Sequence, residues 1–327
     1  MNKILLLALT LSSSIALAQA PGAEFAQPHR LVDIGGRKLN LYCSGTGSPT
    51  VVFDTPSGSA GWVWWAVQPK VAARTRACVY DRAGFGFSDP SPRAADASND
   101  VDDLHALLQA AGVAPPYVLV GNSSGGGNAE LFAWRHLDEV SGLVLVEPMH
   151  EDENIRADEA SHGMFTKAEP EMFAFRNACT VQADKGFQPK TPMYEQCIEG
   201  VDPSLPGALG EADLKQRLAP AYWHASKAEQ ESFEASRSQL RAARKPFGDL
   251  PVIVLARGVS PYLIPGKPQG EINKAIEAAN LALQTEVAQS ARNGEVRVVP
   301  GASHMIQETH PEAVAAAVDD VLDRIKR

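Results

Sequence analysis

The chain is 327 residues long, 44% of them hydrophobic, and carries a formal net charge of −9. That apolar content is enough for a sizeable core and excludes a disordered chain, while the length suits one large α/β domain with an insertion. The acidic balance, with no dense Lys/Arg cluster, argues against nucleic acid as a partner.

In chain order, the first segment reads as an export signal. Lys3 supplies a positive start, residues 4–11 an apolar run, and Ala16-Leu17-Ala18 a small-residue cleavage site. Cleavage after Ala18 is favoured over Ala20, which Pro21 follows. Ser12-Ser13-Ser14 interrupts the apolar run well short of the roughly 20 residues that a bilayer span requires. The expectation is residues 1–18 as signal peptide and a periplasmic or secreted protein with no stable membrane anchor.

Short β-rich runs then alternate with helical patterns, the signature of a mostly parallel sheet covered on both faces. Strands are read at 30–34, 38–43, 50–53, 77–80, 117–120, 143–147, 252–256 and 296–299, with Gly35-Gly36 as a hairpin turn between the first two. Helices are read at 61–73, 99–111, 124–136, 271–292 and 311–325. Ser98 is a suitable N-cap for the second helix, whose apolar face is Val101, Leu104, Leu107 and Leu108. Between the sixth and seventh strands the alternation stops, and residues 149–247 read as a helical lid inserted into a core made of 19–148 and 248–327. Within it, 225–244 is a helix with sparse apolar positions, expected to lie partly in solvent.

All four cysteines, Cys43, Cys78, Cys179 and Cys197, fall in the exported part, where disulfides can form. Three connectivities are possible. Cys43 with Cys78 and Cys179 with Cys197 is preferred, because each pair then stays within one region. No C-x-x-C or clustered His/Cys spacing suggests zinc, so no metal is expected.

The most informative segment is Gly121-Asn122-Ser123-Ser124-Gly125, directly after the strand 117–120 and leading into a helix. A serine at such a strand-to-helix turn is a nucleophile elbow. Flanking glycines are needed because a Cβ there would strike backbone, and the hydroxyl is left exposed above the sheet. The helix that follows directs its N-terminal N–H groups toward charge developing during acyl transfer.

With elbow, alternation and insertion together, the chain resembles the α/β-hydrolase superfamily over nearly all of residues 19–327. Residues 80–90, Tyr-Asp-Arg-Ala-Gly-Phe-Gly-Phe-Ser-Asp-Pro, look like the loop after the fourth strand in its esterases, haloalkane dehalogenases and epoxide hydrolases. Gly84 and Gly86 would let this loop turn, with Asp81 and Arg82 tying it down. The resemblance implies an eight-stranded mostly parallel sheet, helices on both faces, and the lid after strand six. It also makes the second and fourth strands neighbours, which brings Cys43 near Cys78.

Dehalogenases and epoxide hydrolases of this kind carry an aspartate at the elbow, so Ser123 implies acyl transfer instead. The family's histidine, in the loop after the last strand, corresponds to His304. Many relatives place an aspartate after the seventh strand, but Ala256-Arg257-Gly258 has no carboxylate there. A second solution, an acid at the end of strand six, points to Glu147, with Asp152, another lid carboxylate and Glu271 as alternatives. Oxyanion donors are expected at the N–H of Ser124 and of Ser57, since Pro56 cannot donate. Trp62, Trp64, Trp65, Phe85, Phe87 and Met149 lie in loops near the cleft and suggest an apolar pocket, Trp62 and Met149 being the substrate-binding candidates. The implied activity is hydrolysis of small to medium apolar carboxylic esters through an acyl-enzyme, without cofactor. An aminopeptidase or amidase using the same residues, and a non-catalytic hydrolase-like binding protein, stay open, as does oligomeric state.

Overall fold

The computed structural model describes residues 21–263, 266 and 268–326. The proposed signal peptide lies outside the described residues. Eight strands form one sheet: β1 (Arg30–Asp33), β2 (Lys38–Ser44), β3 (Thr50–Asp54), β4 (Ala77–Tyr80), β5 (Tyr117–Asn122), β6 (Val140–Val146), β7 (Val252–Arg257) and β8 (Glu295–Val299), in the order β1-β2-β4-β3-β5-β6-β7-β8. β2 runs antiparallel to both β1 and β4, and every other pairing is parallel. The central strands β3 and β5 are buried along their whole length, as expected of strands covered on both faces.

Alternation along a strand sends neighbours to opposite faces. In β5, Leu119 joins the core beneath α2 (Ala97–Ala110), α3 (Ser124–Arg135) and α9 (Glu271–Gln289), while Val118 and Val120 join the core beneath α1 (Gln68–Ala72) and α11 (Pro311–Ile325). The expected apolar face of α2, Val101, Leu104, Leu107 and Leu108, is fully buried. Its cap is Asp96 rather than Ser98: the Asp96 carboxylate accepts the Asn99 N–H at 3.0 Å, and the Ser98 hydroxyl instead accepts from Arg135.

The helix read at 61–73 is two pieces, a 3-10 turn at Gly61–Trp64 and then α1. Pro69 lacks an N–H, so it suits the opening turn of a new helix and not the interior of a long one. The helix read to 292 stops at Gln289, because the chain turns to form a bridge between Gly248 and Ala291.

Between β6 and β7 stand α4 (Glu153–Ser161), α5 (Met164–Lys185), α6 (Pro192–Cys197), α7 (Gly207–Leu218) and α8 (Pro220–Ala243). Both expected disulfides are formed. Cys43 and Cys78 are direct cross-strand partners on β2 and β4, and Cys179–Cys197 ties α5 to α6 within a small core completed by Phe187, Ile198 and Trp223. α8 lies partly in solvent, as expected, with Glu231, Glu234 and Arg241 exposed, but its inner side is polar: Ser226, Glu229, Gln230, Ser232, Ser236 and Arg237 are all buried. No helix among the described residues is long and apolar enough to cross a membrane.

Candidate active site

The elbow is built by contacts that no side chain could share. A Cβ on Gly121 would stand 2.1 Å from the Gly125 carbonyl oxygen, and one on Gly125 would stand 2.5 Å from that of Thr55. Between them Ser123 takes φ 55° and ψ −121°, a region that costs a residue with a side chain about 1–3 kcal/mol. Two backbone bonds hold it there: its N–H donates to Val146 O at 3.1 Å, and its carbonyl accepts the Met149 N–H at 2.8 Å. Ser124 opens α3, so its N–H has no partner within the helix.

His304 lies in the turn between β8 and α10 (Ile306–Thr309). The turn is pinned where Ala302 O accepts the N–H groups of Gly258 and Val259 at 3.0 and 2.9 Å. Asn122, beside the serine, reaches across: its amide donates to His304 O at 3.3 Å and to Val146 O at 2.8 Å, and accepts from Gln307 at 3.1 Å. Asn122 thereby ties the serine strand to the histidine loop. Ser123 Oγ makes no hydrogen bond to the imidazole in this arrangement, a contact that often tightens only when substrate is bound.

Glu147 leaves β6 with φ 46°, and its carboxylate, almost wholly buried, lies 3.5 Å from His304 Nδ1. The position expected to lack an acid instead supplies a cation. The N–H of Arg257 donates to Glu147 Oε1 at 2.8 Å and its guanidinium to Oε2 at 2.6 Å, while also gripping Glu277 through two bonds. Asn280 adds a bond to Oε1 at 3.3 Å. Burial pushes the Glu147 carboxyl up, but the His304 hydrogen bond and the Arg257 charge outweigh it, and its pKa lies below the usual value. The other acids weighed for this place are engaged elsewhere, Asp152 with Arg241 and Glu271 with Lys274.

The loop after β3 carries Ser57, whose N–H donates to no acceptor among the described residues. Arg82 holds this loop rather than its own: it bonds Asp54, Thr55 O and Pro56 O, while Asp81 ties down its own loop through the Phe87 N–H and also takes the Gly61 N–H. A Cβ on Gly86 would meet the Asp81 carboxyl at 2.3 Å, which explains the glycine.

A cavity of about 360 Å³ adjoins this loop, lined by Gly58, Ser59 and Trp62 on one side and by Asp202, Asp213, Arg217 and Glu308 on the other. Ser123 and His304 do not line it. Trp62 thus borders an open space, but Met149 is packed in the core against Gly127 and Leu240. Trp64 packs on Phe53, Phe85 on Tyr222 and Phe87 on Trp62, so most of the expected apolar cluster is interior packing. The cavity is more acidic than the aromatic residues suggested; burial together with Asp202 and Asp213 pushes Glu308 up to about 7. Away from the elbow, His105, His136 and Glu139 bring possible metal-ligand atoms within 4.8 Å of one another. They sit at the far end of α3, about 18 Å along the helix from Ser123, and no linear spacing announces them.

Comparison with known proteins agrees with this architecture. The profile described as "Alpha/beta hydrolase family" matches residues 43–317. The 2-(acetamidomethylene)succinate hydrolase of Mesorhizobium japonicum is 26% identical over 320 residues, covering 92% of this chain and 98% of that protein. The 2-hydroxymuconate semialdehyde hydrolase of Pseudomonas sp. is 36% identical over 123 residues, 36% of this chain and 42% of its own. The match to the uncharacterised Bacillus subtilis protein YbdG likewise covers only 37% of that relative's length, at 29% identity over 36% of this chain. Among solved structures, a thermophilic esterase from Thermogutta terrifontis superposes with a TM-score of 0.56 at 21% identity, covering 91% of this chain and 99% of the esterase. A serine hydrolase involved in carbazole degradation superposes with a TM-score of 0.61 at 16% identity, covering 90% and 98% of the two chains. Similarity of this depth to structures speaks for the fold alone, but the profile spans most of the sequence, and on that match the chain belongs to the alpha/beta hydrolase family.

Proposed function

We propose that the protein is an exported serine hydrolase that cleaves carboxylic esters of small to medium apolar substrates. The observation that carries the proposal is the strained serine at a strand-to-helix turn, with an imidazole backed by a buried, ionised glutamate. Ser123 Oγ would attack the ester carbonyl carbon while His304 Nε2 takes its proton, and Glu147 would hold the Nδ1–H and stabilise the imidazolium. The oxygen that becomes negative would lie between the N–H groups of Ser124 and Ser57. Collapse breaks the C–O bond to the alcohol, which leaves with the proton held by His304. Water then repeats the sequence on the acyl-enzyme and releases the acid. No step calls on a metal or organic cofactor.

The test is hydrolysis of p-nitrophenyl butyrate by the wild type and by Ser123→Ala. The variant is expected to lose activity by at least about 10³-fold; full activity in Ser123→Ala would overturn the proposal. Labelling of Ser123 by a fluorophosphonate separates an enzyme from a hydrolase-like binding protein, which would stay unlabelled. Export is supported by the two disulfides and is checked by N-terminal sequencing, with Gln19 expected as the first residue of the exported form.

A second reading, an aminopeptidase or amidase on the same residues, is favoured by the carboxylates that line the cavity beside the oxyanion loop, which suit a cationic amine. Faster turnover of an amino-acid anilide than of p-nitrophenyl butyrate would decide for it.

A further inference from the structure

Helix α8 belongs to the insertion, yet its Glu229 reaches into the core and is 4% exposed. One carboxylate oxygen accepts the Ser57 hydroxyl and the Gly58 N–H, both at 2.7 Å. The other accepts two bonds from Arg82, at 2.8 and 3.1 Å. Arg82 in turn bonds the carboxylate of Asp54, the carbonyl of Thr55 and, at 2.9 Å, the carbonyl of Pro56. One acid from the insertion and one base from the loop after β4 therefore fasten the segment from Asp54 to Gly58.

The arrangement also sorts the donors. Glu229 takes the Gly58 N–H and the Ser57 hydroxyl for itself, leaving the Ser57 N–H free for an oxyanion. A buried carboxylate is an expensive fastener: Asp54, Asp100 and Glu229 crowd one guanidinium, and burial holds Asp100 up at about 7. Packing alone could be served by apolar side chains. We infer that Glu229 is a positioning residue for the oxyanion loop: its carboxylate bonds to Ser57, Gly58 and Arg82, rather than the packing of α8 at large, hold the site for the developing negative charge. The inference rests on the proposed serine hydrolysis and on Ser57 N–H as a donor in it.

The experiment compares wild type, Glu229→Gln, Glu229→Ala and Ser236→Ala as the full protein. Ser236 anchors α8 to α2 by accepting the Ala97 N–H at 3.0 Å and serves as the control for loosening the helix alone. The readouts are kcat and KM on p-nitrophenyl butyrate, the rate of fluorophosphonate labelling, and the thermal midpoint. A misplaced donor acts in the transition state, so the Glu229 variants should lose about tenfold to a hundredfold in kcat with KM held within about threefold. Labelling should slow in proportion, and Ser236→Ala should lower the midpoint while keeping kcat. If Glu229→Ala does not fold, Glu229→Gln and Ser57→Ala, which deletes a hydroxyl and keeps the N–H, give the answer: lowered kcat in both supports the inference. An active wild type whose folded Glu229 variants keep kcat within about twofold overturns the inference alone. Equal loss of kcat in Ser236→Ala does the same, since any loosening of α8 would then suffice. A wild type inert to ester and phosphonate overturns the parent proposal and this inference with it.

Discussion

At Glu147 two demands meet in one carboxylate, orientation of the His304 ring and neutralisation of Arg257. Replacing it by glutamine keeps the size but places an amide where, in the proposed mechanism, the imidazolium would need a negative charge. Glu147→Gln is expected to lower kcat on the order of 10³ to 10⁴, with little change in KM, as measured by ester hydrolysis. A loss below about tenfold would move the role to another acid. At the elbow, Gly125→Ala would drive a Cβ into rigid backbone at Asp54 and Thr55, so loss of soluble folded protein is expected and can be read from expression and thermal melting. The serine and glycines are legible in the sequence because a backbone constraint restricts residue type at fixed spacing. Arg257 and Asn122 are not, because their roles depend on partners brought near by the sheet, and nothing local distinguishes an arginine after a strand from a solvated one.

Elements follow the same logic. Buried parallel strands read as Val- and Leu-rich runs, and their edges come out within a few residues. Helix 61–73 fails because a proline in its middle suits a fresh start better than a continuation. α8 is the partly solvated helix its sparse apolar positions suggest, but its polar inner side is not legible locally, because Glu229 meets Arg82 and Ser236 meets backbone from distant elements. The insertion's own core is small, and Cys179–Cys197 closes it across 18 residues. A loop of that size constrains the unfolded chain by about 3 kcal/mol. Cys179→Ser with Cys197→Ser should therefore speed limited proteolysis within 149–247 while the sheet core survives as a resistant fragment. Equal cleavage rates in variant and wild type would show that the helices hold without the staple.

Acidic groups buried in the molecule as a whole set an unusual direction for its pH response. Glu130, on α3 and 5% exposed, is pushed up to about 8 by burial and by Glu151, against the opposing pull of Arg244. Asp100 follows, at about 7. Between an unfolded value near 4.5 and the folded value near 8, the native state keeps the Glu130 proton that the unfolded chain releases. Stability in that window must therefore fall as pH rises, the loss being complete above the folded value. Glu295 acts the other way: Arg297 and Arg324 hold it down at about 2, so its contribution is present above 4.5 and lost as pH drops toward 2. It is partly exposed, so solvent screening makes it count for less. Through Glu130 and Asp100, stability is expected to decline from about pH 5 toward pH 8, a trend that the mounting negative charge reinforces. Glu130→Gln removes the titrating group but not the shape, so its urea midpoint should exceed that of the wild type at pH 8 and converge with it at pH 4. A gap between the two proteins that stays constant across that range would show that Glu130 is already ionised in the folded molecule, with Arg244 rather than a retained proton offsetting its burial.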